Sequence, residues 1–503
     1  MGTSVRRDRH VNLQTAASGL VLLVCLAGCT GTPPLMPERI LATHGVASGD
    51  ASSDSVVIWS RGSAAGRMHV RLNESAHDQR IYTTTVRAAD DFTGKVLVAG
   101  LQPNREYQYT VWFSDSDEAP GDIENGRFRT APDAASPASL HFAWGGDLAG
   151  QNVCRDATEG FPVFRAVNKL ELDFFIGLGD MIYADGICKP TGRYGNSQVA
   201  GEFIQSADLD NYRAHWKYNR EDDAFRQLLA GTSYLAVWDD HEVVNDFGPQ
   251  QDTRDAPPYS LAVHLMPIGL RAFLDYNPVA GNSDDPGQLY RSVRWGKHLE
   301  LILLDTRQYR DSNLAPDDGV QPKTMLGAAQ LQWFRNTVAD SEATWKIIVS
   351  SVPLSIPTGF PPEKGRDGWA DFDQNRGFER ELRDIFGFLR QQKLRNFLFI
   401  TTDVHFAAAF RYRPFADDPA FQVYEVATGP LNAGLFPNRD FDTSLGTEQL
   451  FFFGPASPDT VGDYRQARRW MNFGAVSIDA NGELYVSVID VDGTPVYKLH
   501  LSP

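Results

Sequence analysis

Apolar and polar positions alternate in two different ways along the chain. Between residues 40 and 131, short segments such as SDSVVIWSR and REYQYTVWFS are separated by Gly, Asn, Asp and Pro, a pattern typical of half-buried β-strands. Five or more strands at this spacing predict an immunoglobulin-like β-sandwich. From residue 140 to residue 503, continuous apolar runs alternate with helical stretches, which predicts an α/β domain with buried strands.

One apolar run, Tyr234–Trp238, stops abruptly at Asp239, Asp240, His241 and Glu242. Ligands bind at the carboxyl edge of open α/β sheets, where a polar turn of this kind would lie. Adjacent carboxylates repel one another unless a cation or strong donors hold them, so the segment predicts a metal site. A solvated acidic turn that caps the next helix is the alternative.

Three further apolar runs end in residues of the same chemistry. Two of these runs are followed by a pair of candidate ligands. In the first pair, Asp403 and His405 are two residues apart and would face the same side of an extended segment. Tyr183 follows Asp180 by three residues, and its phenolate would suit ferric iron, although packing is the more common role of a Tyr. The runs and the residues that follow them are 140–144 with Asp147, 172–178 with Asp180 and Tyr183, and 397–400 with Asp403 and His405.

The N-terminus has the features of an export signal. Arg6, Arg7 and Arg9 precede an apolar run, 19–26, that is too short to span a bilayer permanently. The ending Leu-Ala-Gly-Cys resembles a bacterial lipoprotein signal, so we expect a signal peptide at 1–28, lipid on Cys29 and a tether at 29–39. A plain secretory signal is the alternative, and the export route stays open.

Charge and cysteine usage narrow the function further. The net charge of −17 repels nucleic acid, so no nucleic-acid surface is expected and a phosphate substrate must be drawn by a local feature such as a metal. With Cys25 in the signal and Cys29 lipidated, the remaining thiols are Cys154 and Cys188. In an exported protein this pair favours a disulfide over a metal pair.

Five segments together resemble the PhoD-type alkaline phosphatase and phosphodiesterase family of metallophosphoesterases. Their order matches along nearly the whole mature chain, and residues 40–131 are similar to the N-terminal domain of that family. The resemblance implies a catalytic domain at 140–503 of two sandwiched mixed sheets flanked by helices, with Fe³⁺ and Ca²⁺ at the strand ends. The segments are GLGDMIYAD, WDDHEVVND, LDTRQYRD, DGWADFDQNR and TDVHFA.

The resemblance also implies roles for individual residues. Asp180 would bridge the metals, Tyr183 would bind the ferric ion, and His241 would face the substrate. Many relatives have a Cys where this chain has Asp147, which would take its place. A His of broader metallophosphoesterases is absent from SSVP at 350–353, which favours calcium as the second metal. The remaining metal ligands would be Asp240, Asp403 and His405, with Asn245 as a further candidate.

The implied activity is metal-dependent hydrolysis of a phosphomonoester, phosphodiester or phospholipid outside the cytoplasm, for phosphate scavenging. His241 would donate a proton to the leaving group or hydrogen-bond the phosphoryl oxygens. Arg307 and Arg310 match the arginine motif of the family and are expected to bind the substrate, with Arg307 clamping the phosphoryl oxygens; salt bridges to the acids are the alternative that their chemistry leaves open. A non-catalytic surface lipoprotein and a calcium-stabilised structural fold without iron are the alternatives. Substrate preference and oligomeric state stay open.

Overall fold

A computed structural model describes residues 39–503 apart from 74–79, 116–121, 206, 251–260, 283, 360–364, 372–374 and 439. The predicted signal peptide, the lipidation site Cys29 and most of the tether lie outside the described residues. None of the helices in the described part of the chain is long and apolar enough to cross a bilayer.

The strands fall into three sheets. The bounds of the strands are β1 Ala42–Gly49, β2 Ser55–Gly62, β3 Gly66–Leu72, β4 Ile81–Val86, β5 Thr93–Ala99, β6 Glu106–Ser114, β7 Glu124–Arg129, β8 Leu140–Gly145, β9 Phe174–Leu178, β10 Ser233–Val237, β11 Arg291–Trp295, β12 Leu299–Leu303, β13 Trp345–Val349, β14 Phe397–Thr401, β15 Ala407–Tyr412, β16 Val423–Ala427, β17 Thr447–Phe453, β18 Asn472–Ile478, β19 Leu484–Asp490 and β20 Pro495–Leu501.

The α-helices connect these strands and cover the outer faces of the large sheets. Their bounds are α1 Val163–Val167, α2 Leu209–Arg220, α3 Asp223–Gly231, α4 Ala262–Tyr276, α5 Gly327–Asp340, α6 Glu379–Gln391 and α7 Tyr464–Ala467.

Two large mixed sheets form the framework of the α/β region that was predicted for residues 140–503. The nine-stranded sheet has the order β20-β19-β18-β8-β9-β10-β1-β2-β5, and β8, β9 and β10 are parallel. The seven-stranded sheet has the order β11-β12-β13-β14-β16-β15-β17, with β12, β13, β14 and β16 parallel. Parallel neighbours place the carboxyl ends of their strands at the same edge, so the polar residues that follow them meet there.

The core explains why these strands read as continuous apolar runs. One cluster of buried side chains, which includes Trp144, Ile176 and Leu301, joins β8 and β9 of the nine-stranded sheet to β12 of the seven-stranded one. Helices α1 to α4 pack against the other face of the nine-stranded sheet, and α5 and α6 against that of the seven-stranded sheet. Strands covered on both faces have no solvent side and therefore lack alternation.

The N-terminal β region shares a sheet with the α/β region. The strands of residues 42–129 lie in two sheets with a common core: β4-β3-β6-β7, and β1, β2 and β5 at the end of the nine-stranded sheet. The connection is a parallel pairing of β1 with β10 through Gly49 and Tyr234. A Cβ at Gly49 would lie 2.5 Å from the carbonyl oxygen of Tyr234, so the junction requires glycine. Residues 40–503 form one compact unit.

Cys154 and Cys188, the pair expected to form a disulfide, are bonded in the structure, with their Cα atoms 5.8 Å apart. They lie on the loops that follow β8 and β9, which are neighbouring parallel strands. The disulfide therefore ties together two of the loops that carry the polar residues at the strand ends.

Candidate metal centre

The four predicted polar clusters meet at the edge where four parallel strands end. Three of the strands belong to the nine-stranded sheet and one to the seven-stranded sheet, so the cluster bridges the two sheets. The residues and the strands that they follow are Asp147 after β8, Asp180 and Tyr183 after β9, Asp240 and His241 after β10, and Asp403 and His405 after β14.

Tyr183, His405 and Asp147 form the first contact set. The phenol oxygen of Tyr183 lies 2.9 Å from Nε2 of His405, and this nitrogen is 3.7 Å from Oδ1 of Asp147. Nδ1 of His405 pairs with the carbonyl oxygen of Gly434, so Nε2 is the nitrogen that faces the centre. A buried imidazole oriented by a backbone carbonyl, next to a carboxylate and a phenol, is a suitable ligand set for a transition metal.

Asp180 lies between two groups of ligand atoms. One ligand atom each from Asp147, Asp180 and His405 lie within 4.8 Å of one another, and so do those from Asp180, Asp240 and His241. A carboxylate that belongs to both groups has the position expected of a bridging ligand.

A third group of acids extends the centre. Ligand atoms of Asp240, Asp246 and Asp367 also lie within 4.8 Å of one another, and the backbone N–H of Asp246 donates to Oδ2 of Asp240 at 2.6 Å. Asn245, the further candidate, places its exposed side chain in the lining of the adjacent pocket, while its backbone N–H donates to Asp185 at 3.0 Å. The ligand atoms of this third group, Asp240, Asp246 and Asp367, are all carboxylate oxygens, as calcium prefers.

Four of the candidate ligands adopt a backbone conformation that is rare outside glycine. The φ angles are +62° for Asp147, +53° for Asp180, +76° for Asp403 and +57° for His405. The left-handed region costs non-glycine residues roughly 1–2 kcal/mol each, so the surrounding structure must impose it. Such strain concentrates at functional sites, where the unusual backbone conformation orients side chains for binding or catalysis.

Several carboxylate oxygens of the centre are buried and have no hydrogen-bond partner among the described residues: both of Asp147, Oδ1 of Asp240 and Oδ2 of Asp403. Burial, followed by the charge of Asp239, raises the pKa of Asp147 well above its usual range. A Cβ at Gly429, where φ is +124°, would lie 2.2 Å from Oδ2 of Asp147, so glycine leaves room for this carboxylate. Buried acceptors without donors fit bound cations, and the residues present therefore fit a metal centre.

A pocket of about 260 Å³ opens beside these residues. Its lining includes candidate metal ligands, His241 and apolar side chains, so a substrate in it would contact both the centre and an apolar wall. The residues of the lining are Gln151, Asp240, His241, Asn245, Asp246, Pro357, Thr358, Gly359, Asp403, Val404, His405 and Phe436.

Comparison with known families agrees with this geometry. A family model described as PhoD-like phosphatase matches residues 142–483, and the model of the N-terminal domain of the same family matches residues 31–132. The chain belongs to the PhoD-like phosphatase family. The resemblance inferred from the sequence motifs is thereby confirmed.

One curated relative and two solved structures are similar to this PhoD-like chain. Alkaline phosphatase D of Bacillus subtilis (strain 168) is 26% identical over 396 residues, which cover 72% of this chain and 64% of that protein, slightly under two thirds of its length. A solved structure of PhoD is similar over 93% of both chains with a TM-score of 0.71 and 20% identity. A purple acid phosphatase from yellow lupin seeds is similar over 92% of this chain and 74% of its own, with a TM-score of 0.58 and 12% identity. These two likenesses concern the fold.

Arg307 and Arg310, which match the arginine motif of the PhoD-like family, lie beneath the centre and are buried. Nε of Arg307 donates to Asp239 at 2.5 Å and its Nη1 donates to Asp367 at 2.7 Å. Arg310 donates to the same oxygen of Asp367 at 2.6 Å. Of the two roles that the sequence left open, these contacts are those of salt bridges to the acids, and neither guanidinium lines the pocket.

The sequence analysis missed Asp185 as a partner of His241. Nδ1 of His241 lies 2.7 Å from Oδ1 of Asp185. Burial opposes a charge on the imidazole, but the carboxylates of Asp185 and Asp240 outweigh it and raise the pKa of His241 to about 10. The available signal was the spacing in GDMIYAD, where Asp185 comes two residues after Tyr183.

Glu242 was assigned no separate role from the sequence, yet it organises two of the strand ends. Its buried carboxylate accepts the backbone N–H groups of Asp180 at 3.0 Å, Met181 at 2.8 Å and Asp239 at 2.8 Å. Three donors on one carboxylate fix the turns after β9 and β10 relative to each other. No pattern in the sequence distinguishes this residue from a metal ligand.

Proposed function

We propose that this chain is a metal-dependent hydrolase of phosphomonoesters or phosphodiesters. The observation that carries the proposal is the set of buried carboxylate oxygens on Asp147, Asp240 and Asp403 that have no hydrogen-bond partner among the described residues and lie beside a pocket. Membership of the PhoD-like phosphatase family and the names of the relatives support it. A non-catalytic relative would be expected to have lost at least one of the DDHE, GDxxY and DVH motifs, and all three are present.

The ligand chemistry suggests two kinds of metal site. Asp147, Tyr183 and His405 would hold a ferric ion, because a phenolate is a hard ligand that suits it. Asp240, Asp246 and Asn245 would hold Ca²⁺ through oxygen atoms, and Asp180 would lie between the two sites. Bound metal ions supply Lewis acidity and lower the pKa of water enough to give hydroxide near neutral pH.

Within this centre His241 has a defined proton arrangement. Because Nδ1 donates to the Asp185 carboxylate, Nε2 is the nitrogen left to act on the substrate. From there it would protonate the departing oxygen or donate a hydrogen bond to a phosphoryl oxygen. Asp185 holds the ring in the orientation that either role requires.

The proposed function predicts that chelation abolishes hydrolysis of p-nitrophenyl phosphate and bis(p-nitrophenyl) phosphate, because the chain offers no alternative nucleophile motif. Restoring ferric and calcium ions should restore activity, and the iron-loaded protein should show a visible phenolate charge-transfer band that Tyr183→Phe removes. Absence of hydrolysis with both substrates at full metal occupancy would refute the proposal. An active, colourless protein containing only calcium or zinc would overturn the assignment of iron.

A second prediction separates the two roles of His241. If it protonates the leaving oxygen, His241→Ala should slow alkyl phosphoesters by a further factor of roughly 10–100 relative to p-nitrophenyl esters, since an alkoxide must be protonated as it leaves. Rate constants for both substrate classes measure this, with the metal content of each variant determined in parallel. Equal losses for both classes at unchanged metal content would exclude the acid role and favour stabilisation of the phosphoryl oxygens.

We further propose that the mature protein is exported and anchored through lipid on Cys29, where it would serve phosphate scavenging. The support is the arginine-rich start, the short apolar run and the Leu-Ala-Gly-Cys ending. Mass spectrometry of the mature N-terminus tests this, and an unlipidated chain that begins before Cys29 would contradict it.

A further inference from the structure

Among the described residues that line the pocket beside the metal centre, one apolar side chain keeps open surface. Pro357, Val404 and Phe436 all line the pocket, but Pro357 and Val404 are buried while Phe436 is only half-buried. Of the three, Phe436 therefore has the most surface available to a molecule in the pocket.

The ring of Phe436 is held in a fixed plane. It stacks on the imidazole of His405 with 4.2 Å between ring centroids and 9° between planes. Because His405 is a candidate metal ligand, this stacking puts an aromatic surface directly beside the centre at which the phosphoryl group would be bound. A group attached to that phosphoryl group would thus come within reach of the ring.

The segment that carries Phe436 is anchored to the centre by its backbone. The N–H of Leu431 donates to Gly146 at 2.9 Å, that of Gly434 to the side chain of Gln151 at 3.1 Å, and that of Leu435 to the hydroxyl of Tyr194 at 3.1 Å. A wall ordered before the substrate arrives loses little entropy on binding, which favours its use in recognition.

We infer that Phe436 is a specificity-determining residue that contacts the alcohol portion of the substrate. The preferred substrates are then phosphoesters of flat, apolar alcohols, such as aryl esters, over those of small or strongly hydrated alcohols. The inference rests on the proposed function, because it presumes that the pocket binds a phosphoester.

Competitive inhibition by phosphonates measures this preference without a leaving group, because their P–C bond is not hydrolysed. The wild type should bind phenylphosphonate more tightly than methylphosphonate. Phe436→Ala should weaken phenylphosphonate about 3- to 10-fold, the range that aromatic contacts contribute, and change methylphosphonate by less than about twofold. Phe441→Ala is the matched control, since Phe441 packs against Phe410 and does not line the pocket; its ratio of inhibition constants should equal that of the wild type.

Metal content is measured in each variant because Phe436 contacts His405. If Phe436→Ala loses metal, Phe436→Leu is used as the test instead. A preference for phenylphosphonate over methylphosphonate that falls about two- to threefold in this variant supports the inference, and an unchanged preference overturns it. The inference is also overturned if Phe436→Ala keeps its metal and still hydrolyses esters but binds both phosphonates more weakly by the same factor. Failure of the proposed function has a different signature, because then neither phosphonate binds and no ester is hydrolysed.

Discussion

Asp180→Asn is expected to lower kcat for phosphoester hydrolysis by at least about a hundredfold and to reduce the amount of bound metal. Asp180 belongs to two of the groups whose ligand atoms lie within 4.8 Å of one another, so the loss of its charge weakens both sites at once. Metal ions contribute several kcal/mol to charge stabilisation in such reactions, and each 1.36 kcal/mol corresponds to about a factor of ten in rate. Steady-state kinetics with elemental analysis of the purified variant measures both effects.

Asp173→Asn is the matched control, because Asp173 precedes the same strand, β9, at its opposite end. It accepts the backbone N–H of His141 at 2.9 Å and lies away from the candidate ligands. Its replacement should leave metal content and kcat close to those of the wild type. Full activity of Asp180→Asn with unchanged metal content would show that the carboxylate is not a ligand.

The candidate ligands could be identified from the sequence because each is local to a strand end. An apolar run followed by Asp147, Asp180 or Asp403 specifies both a buried strand and the polar turn beyond it. Parallel packing then brings the turns together, so sequence pattern and sheet topology suffice to assemble the centre. The same apolar runs predict an α/β domain with buried strands, whereas the expectation of two mixed sheets came from the resemblance to the family.

Contacts between distant segments could not be predicted in this way. Gly49 pairs with Tyr234 across 185 residues of chain, and nothing near either residue in the sequence signals that β1 extends the sheet of the α/β region. The role of Glu242 has the same origin, because its partners Asp180 and Met181 belong to another strand end. A carboxylate that binds backbone N–H groups and one that binds a metal are identical in sequence.

The arginine motif shows another limit of the sequence. The residue type shows that Arg307 and Arg310 bind anionic groups, but not whether those groups are carboxylates or a phosphate. A guanidinium binds carboxylates and phosphates with the same geometry. Burial distinguishes the two roles, and burial depends on how the segment 305–310 packs beneath Asp239 and Asp367. In the structure Arg307 has no exposed surface. Its guanidinium donates hydrogen bonds to Asp239, to Asp367 and to the carbonyl oxygen of Phe247.

Arg307→Ala is therefore expected to lower the free energy of unfolding by about 3–5 kcal/mol, the usual effect of removing one partner from a buried ion pair. The carboxylates of Asp239 and Asp367 would each stay buried with one charged donor fewer, and the charge of Arg307 is among the factors that lower the pKa of Asp367. Denaturant unfolding monitored by fluorescence measures the difference, with the same metal occupancy in both proteins.

Arg127→Ala provides the comparison for Arg307→Ala, since the Arg127 side chain is 58% exposed and its ion-pair partner, Glu106, is 3.7 Å away. An exposed pair contributes about 0–1 kcal/mol, so this variant should unfold at nearly the wild-type denaturant concentration. The alternative role of Arg307, a direct clamp on the phosphate, predicts the reverse pattern: unchanged stability with a large rise in KM. That result would mean that Arg307 leaves its carboxylate partners when substrate binds, and that Asp239 and Asp367 are stabilised by the metal ions instead.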